Sequence, residues 1–222
     1  KFYKSGEGRV SAGKENKPFF DYLTEISLSF EEWTDVVSVI REHNLDLLVM
    51  PNDRPSLEFA TNLAPEAYVI PASNFDEEFF VREVGAHSKP VYLRVGGASL
   101  GEIENVIRLL GDAGSGAVTL LYGHQNYPTT IKDTNIGFIP YLQNAFGLPV
   151  GIADHVDGGD DFALVAPLLA VPLGISCVEK HLTYDRGKRG EDFEAALDKE
   201  SFKKFVQFLR KTEAAVQDKG LS

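Results

Sequence analysis

The sequence predicts an α/β fold, specifically a (β/α)8 barrel, and two observations carry that expectation. Short apolar runs recur along the chain, and an amphipathic stretch follows each of them. The runs are Leu45 to Pro51, Ala67 to Ala72, Pro90 to Gly97, Ala117 to Gly123, Pro149 to His155 and Ser176 to Thr183. They are nearly continuous in apolar residues instead of alternating, as expected of parallel strands covered on both faces.

Helical periodicity fills the gaps. Phe30, Trp33, Val36, Val37 and Ile40 share one helix face, and Ser29 with Glu32 three residues on forms a capping-box pattern. Leu100, Ile103, Ile107 and Leu110 mark a second helix. Ile136, Ile139, Leu142 and Phe146 mark a third, stopped by Gly147, and Phe162 to Leu169 a fourth. Phe202, Phe205, Val206 and Leu209 mark the last, while 56–64 and 75–86 carry weaker helical patterns. One strand about every 25 residues implies parallel βαβ units. A doubly wound open sheet is the rival, but no Gly-x-Gly-x-x-Gly opens a helix, which weakens its nucleotide-binding form. Lys1 to Tyr3 opens abruptly, like the end of a further strand, so the barrel is expected to lack its first βα unit in this chain. Without a low-complexity linker, residues 1–222 are expected to form a single barrel domain.

Composition narrows the function classes. The net charge of −11 argues against nucleic acid and anionic membranes as partners, so an anionic substrate would need local cations. No apolar run reaches the roughly 18 to 20 residues of a membrane helix. The single cysteine, Cys177, excludes an intrachain disulfide framework, fits a cytoplasmic protein, and is expected to be buried in its strand.

Polar residues gather where the strands end: Asn52 and Asp53, Arg94, the run Gly123 to Tyr127, Asp154 with His155, and Glu179 to His181. In a (β/α)8 barrel that rim carries the chemistry. Of the five histidines, His124, His155 and His181 fall there, whereas His43 and His87 lie near helix ends and are expected at the surface. Histidines on adjacent strands roughly 5 Å apart can share one ion. Two imidazoles completed by oxygen ligands suit Mn²⁺ or a similar divalent ion.

Several motifs together resemble the N-acetylneuraminate (sialic acid) synthase family. They are Tyr127-Pro128-Thr129, Gly151 to His155, Val178 to Thr183, Asp185-Arg186 and Gly190-Glu191-Asp192, in the family's order and spacing. A weaker likeness runs through nearly all of the chain. The resemblance implies a barrel in which phosphoenolpyruvate adds through C3 to the aldehyde of an N-acyl-hexosamine such as N-acetylmannosamine. Water attacks C2, and phosphate leaves. It implies metal ligands at His155 and His181, with Mn²⁺ expected and Mg²⁺ or Co²⁺ as alternatives. It places catalytic roles on Tyr127 and Asp192, and substrate-binding roles on Lys1 and Gln125. It also implies a cytoplasmic homodimer.

Departures are equally specific. The family's Lys-Ile-x-Ser-Gly-acid stretch is Val69 to Asn74 here, the serine before Asp154 is Ala153, and Arg94 stands where the family has a small hydroxyl residue. Arg94 is expected to point into the barrel mouth and supply the charge lost at Val69, since guanidinium binds phosphate bidentately. An ion pair with a rim carboxylate such as Asp53 is its alternative. Neither the family's first strand, with its catalytic glutamate, nor its C-terminal antifreeze-like domain falls within these residues. The 222-residue stretch by itself is therefore expected to lack turnover. Two other readings stand beside the synthase. One is a non-catalytic or regulatory barrel that has lost the phosphoenolpyruvate site. The other is a metal-dependent aldolase or isomerase, in which Lys180 is the candidate for a Schiff base.

Overall fold

The computed structural model describes residues 19–217. Its first element, α1 (Phe19–Ile26), is followed by α2 (Phe30–Glu42), and then strands and α-helices alternate as far as β5, with only 3-10 segments between β5 and β6. They are β1 (Leu48–Val49), α3 (Arg54–Asn62), β2 (Ala67–Pro71), α4 (Glu78–Ala86), β3 (Val91–Arg94), α5 (Leu100–Ala113), β4 (Val118–Tyr122), α6 (Ile139–Phe146), β5 (Val150–Asp154), β6 (Val178–Lys180) and α7 (Lys199–Val216). The six strands form one sheet in chain order, and every neighbouring pair is parallel.

Local signals explain the helix ends. Ser29 accepts from the Glu32 amide at 3.2 Å while the Glu32 carboxylate accepts from the Ser29 amide at 2.7 Å. Ser99 and Glu102 repeat this capping box at α5, which stops at Gly114 with φ 81°. The expected helix over Phe162 to Leu169 is corrected. That stretch forms two 3-10 segments, Asp161–Leu164 and Ala166–Leu173. Pro167 and Pro172 each remove an amide donor that a regular helix would need.

All five residues of β5 are buried, as are four of the five in β2, which accounts for their unbroken apolar runs. The main core packs Ile70, Leu93, Leu120 and Ile152 of the sheet against Val84, Val106 and Leu110 of the helices. The sheet curls so far that both edge strands reach one cavity. Leu48 and Met50 line it from the β1 side, and Cys177, Glu179 and His181 from the β6 side. The architecture is thus a parallel α/β half-barrel. The expected eight-stranded barrel would need two strands more than the six described here, and the strand expected at Lys1 lies outside the described residues. No helix among the described residues is long and apolar enough to cross a membrane.

Three strand ends meet backbone to backbone at the rim. A Cβ on Gly96 would strike the carbonyl oxygen of Gly123, and a Cβ on Gly123 would strike that of Ala153. These contacts hold the ends of β3, β4 and β5 at a fixed spacing. Gly123→Ala is expected to lower the unfolding free energy by roughly 1–3 kcal/mol through overpacking. Urea denaturation of both proteins measures it, and an unchanged midpoint would show that the rim yields freely.

Candidate active site

Alternation along β5 and β6 sorts their C-terminal residues into two sets. The register pairs Ala153 with Glu179 and Asp154 with Lys180. Asp154 and Lys180 therefore share one face, and Ala153, His155, Glu179 and His181 the other. On the first face Lys180 Nζ and the Asp154 carboxylate form an ion pair, their side chains 1% and 2% exposed. Burial pushes the Asp154 carboxyl up from its ordinary value, and the Lys180 charge pulls it back down. On the second face the imidazoles of His155 and His181 lie 5.2 Å apart between centroids.

His155 is 2% exposed, and its Nδ1 lies 2.8 Å from the backbone oxygen of His124. A carbonyl only accepts, so Nδ1 carries the proton and Nε2 presents its lone pair. Burial lowers the His155 pKa to about 3, helped by the Arg94 charge, so the ring is neutral near pH 7. Arg94, at the end of β3, sends Nη2 toward three groups: His155 Nε2 at 2.9 Å, the Glu179 carboxylate at 3.0 Å and the Tyr127 hydroxyl at 3.2 Å. Its Nε is buried and has no hydrogen-bond partner. Burial raises the Glu179 pKa, with Arg94 opposing.

The loop after β4 is tied to the end of β5. Thr129 donates its amide to the His155 carbonyl at 2.8 Å, and its hydroxyl to the His124 carbonyl at 3.2 Å. That places the Tyr127 ring 4.4 Å from His155 and 5.5 Å from His181. The Tyr127 hydroxyl donates to Gln125 Oε1 at 3.0 Å. Burial raises its pKa, Arg94 opposes, and Asp192 lies near enough to add to the rise. Asp192 rides on a loop organised by Arg186, which donates to the Phe193 carbonyl at 2.7 Å and to that of Ala196, and pairs with Asp157 at 3.1 Å.

The structure thus brings together Arg94, Gln125, Tyr127, His155 and His181, with Asp192 in electrostatic reach. Lys1 lies outside the described residues. Arg94 does not pair with Asp53, which instead caps α3 by accepting from the Ser56 amide at 2.8 Å. His124 contributes its backbone, its side chain being exposed, and His43 and His87 are exposed too. Cys177, expected to be buried, is only partly buried on the cavity wall, where it precedes the edge strand β6. Lys180 faces the carboxylate of Asp154, not an apolar pocket, which counts against a Schiff-base role. Glu179 was missed as a site residue, although strand alternation from His181 would have found it.

Beside these groups the curled sheet borders an open cavity of about 470 Å³, lined by Leu48, Met50, Val69, Tyr92 and Leu121 as well as Arg94 and Glu179. One donor atom each from His155, Glu179 and His181 lies within 4.8 Å of the others. Two imidazoles and a carboxylate are a chemically suitable set for a divalent ion of the Mn²⁺ type. The NeuB family profile matches residues 3–220. The chain belongs to the NeuB family.

Relatives within and near the NeuB family point the same way. The chain is 26% identical over 204 residues to a pseudaminic acid synthase of Campylobacter jejuni subsp. jejuni serotype O:2, covering 92% of this chain and 58% of that one. It is 27% identical over 198 residues to an N,N'-diacetyllegionaminic acid synthase of the same organism, covering 88% and 58%. It therefore spans somewhat over half the length of these curated relatives. The crystal structure of an N-acetylneuraminic acid (sialic acid) synthetase from Leptospira borgpetersenii serovar Hardjo-bovis superposes with a TM-score of 0.83 at 23% identity, covering 95% of this chain and 72% of that one. That likeness concerns the fold.

Proposed function

We propose that this NeuB chain carries the catalytic barrel of a synthase that joins phosphoenolpyruvate to the aldehyde of an open-chain N-acyl-hexosamine. The product is a nonulosonic acid, and phosphate is released. The observation that carries the reading is the cluster of buried Arg94 and His155 with partly buried Tyr127, Glu179 and His181 beside the cavity at the strand C-termini. The names of the relatives support the reaction class. The complete (β/α)8 closure, a cytoplasmic location and a homodimer belong to the same reading.

In this reaction a bond forms between C3 of phosphoenolpyruvate and the aldehyde carbon, water adds at C2, and the C2–O bond to phosphate breaks. Arg94 binds the anionic groups of phosphoenolpyruvate. It stands in for the family lysine replaced by Val69, and guanidinium suits oxyanions because its donors form a planar fork. His155, Glu179 and His181 would hold Mn²⁺ or a similar ion, whose Lewis acidity polarises the aldehyde oxygen. The neutral, tautomer-locked His155 is already in the form such a ligand needs. Tyr127, held by Gln125, orients the sugar and shields the site from water, and Asp192 holds a sugar hydroxyl.

Phosphate release, followed with phosphoenolpyruvate, N-acetylmannosamine and related N-acyl-hexosamines in the presence of Mn²⁺, tests the reading. The 222-residue stretch is assayed beside any longer form. Release that requires both substrates is expected of a longer form and little or none of the 222-residue stretch, and no release from any form with any sugar would refute the reading. Arg94→Ala is expected to raise the KM for phosphoenolpyruvate by roughly 10- to 100-fold, the scale of a lost charged hydrogen bond. The sugar KM should move far less, and equal changes in both would remove Arg94 from anion binding. A non-catalytic barrel is the second reading. It is favoured by the apolar wall at Val69 and by Asn74, which braces the Asn52 carbonyl at 2.9 Å instead of facing the cavity. Absence of release from every form would select it.

A further inference from the structure

The guanidinium of Arg94 and a divalent ion would compete for the same atoms. His155 Nδ1 is committed to the His124 carbonyl, so the ring has one lone pair left, on Nε2, and Arg94 Nη2 lies 2.9 Å from it. That lone pair cannot accept a proton from Arg94 and bind a metal at the same time. The same Nη2 also lies 3.0 Å from the Glu179 carboxylate, a second member of the donor set. An ion bonded to both would sit about 2.0 to 2.3 Å from each, in contact with a positive guanidinium.

The present posture of Arg94 is also poorly matched in hydrogen bonds. Nη2 has two hydrogens and three acceptors within 3.2 Å, whereas buried Nε has one hydrogen and no acceptor. A bidentate oxyanion on the cavity side would satisfy Nε and draw the guanidinium away from the ligand atoms. The other cation lining the cavity among the described residues, Lys180, is tied to Asp154. Arg94 is therefore the cation an entering anion meets.

We propose that Arg94 is a displaceable stand-in for the divalent ion, so that a phosphate- or carboxylate-bearing substrate and the metal bind as a positively coupled pair. Without anion, Arg94 holds His155 and Glu179. With anion, it turns to the oxyanion and frees both ligands. The inference rests on the synthase reading for the identity of the anion and on the ligand set for that of the metal. Coupling is reciprocal, so each partner tightens the other by the same factor, typically about 5- to 150-fold.

Mn²⁺ titrations of the purified protein test this, with free ion read by electron paramagnetic resonance against protein-free controls. They are run alone, with phosphoenolpyruvate, and with sulfate. The wild type is expected to bind Mn²⁺ at least about tenfold more tightly with phosphoenolpyruvate. Arg94→Met, with its fold checked by circular dichroism, is expected to bind Mn²⁺ tightly without anion and to show no coupling. Wild-type affinity that is unchanged or weakened by either anion would overturn the proposal and leave the ligand set intact, a result that needs no variant. Mn²⁺ bound by neither protein under any condition would overturn the proposal and the metal site together. Coupling without phosphate release from any sugar would uphold the proposal and remove the synthase reading.

Discussion

Lys180→Met is expected to lower the unfolding free energy by about 3–5 kcal/mol, the cost of stranding one charge of a buried pair. Asp154 and Lys180 sit side by side on β5 and β6 with their side chains almost fully enclosed. Burial already pushes the Asp154 carboxyl up, and Lys180 is what holds it down. Without Lys180 the carboxyl rises further. An acid whose folded pKa exceeds its unfolded value contributes stability below the unfolded pKa and loses it as pH climbs. The deficit should be largest at neutral pH and shrink toward about pH 4. Chemical denaturation across that range measures both features. A companion Asp154→Leu, Lys180→Met pair is expected to recover much of the loss, because no unpaired charge remains. A single variant as stable as the wild type at neutral pH would mean that the pair is open to water in solution.

His181→Ala is expected to cut phosphate release by roughly 10²- to 10³-fold, the range seen when one preorganised electrostatic contact is removed from a transition state. It should also weaken Mn²⁺ binding measured apart from turnover. His181 is only partly buried, so the fold should survive the change. His43→Ala, at an exposed helix end, is the control and should match the wild type. If His181→Ala kept wild-type turnover and Mn²⁺ affinity, His181 would fall out of the ligand set, and Tyr127 would be left packing against a ring with no chemical part.

Much of the fold was legible because the sheet is covered on both faces. A strand such as Val150 to Asp154, buried along its whole length, shows as an apolar run up to the aspartate at its end. The capping boxes at Ser29 and Ser99 were legible because they are made by neighbours three residues apart. The stretch after Asp160 misled because its apolar spacing suits a helix while its prolines forbid one. The eight-residue α1 was not anticipated, being too short to stand out by periodicity. At the site, strand-end position singled out His155, His181 and Arg94. Their partners were less legible, since Glu179 is 85 residues from Arg94 along the chain (179 minus 94) and only the curl of the sheet brings them together. Tyr127 and Asp192 came from motif resemblance more than from any local pattern.

The bond from His155 Nδ1 to the backbone of position 124 also bears on how such a site drifts over time. Every amino acid, proline included, offers a carbonyl oxygen. The partner that keeps the imidazole in its working form is thus supplied by the path of the chain and not by the identity of a residue. As far as this bond is concerned, position 124 can change while its contribution persists. For this bond the exposed side chain is immaterial, and the turn that aims the carbonyl is what inheritance has to preserve.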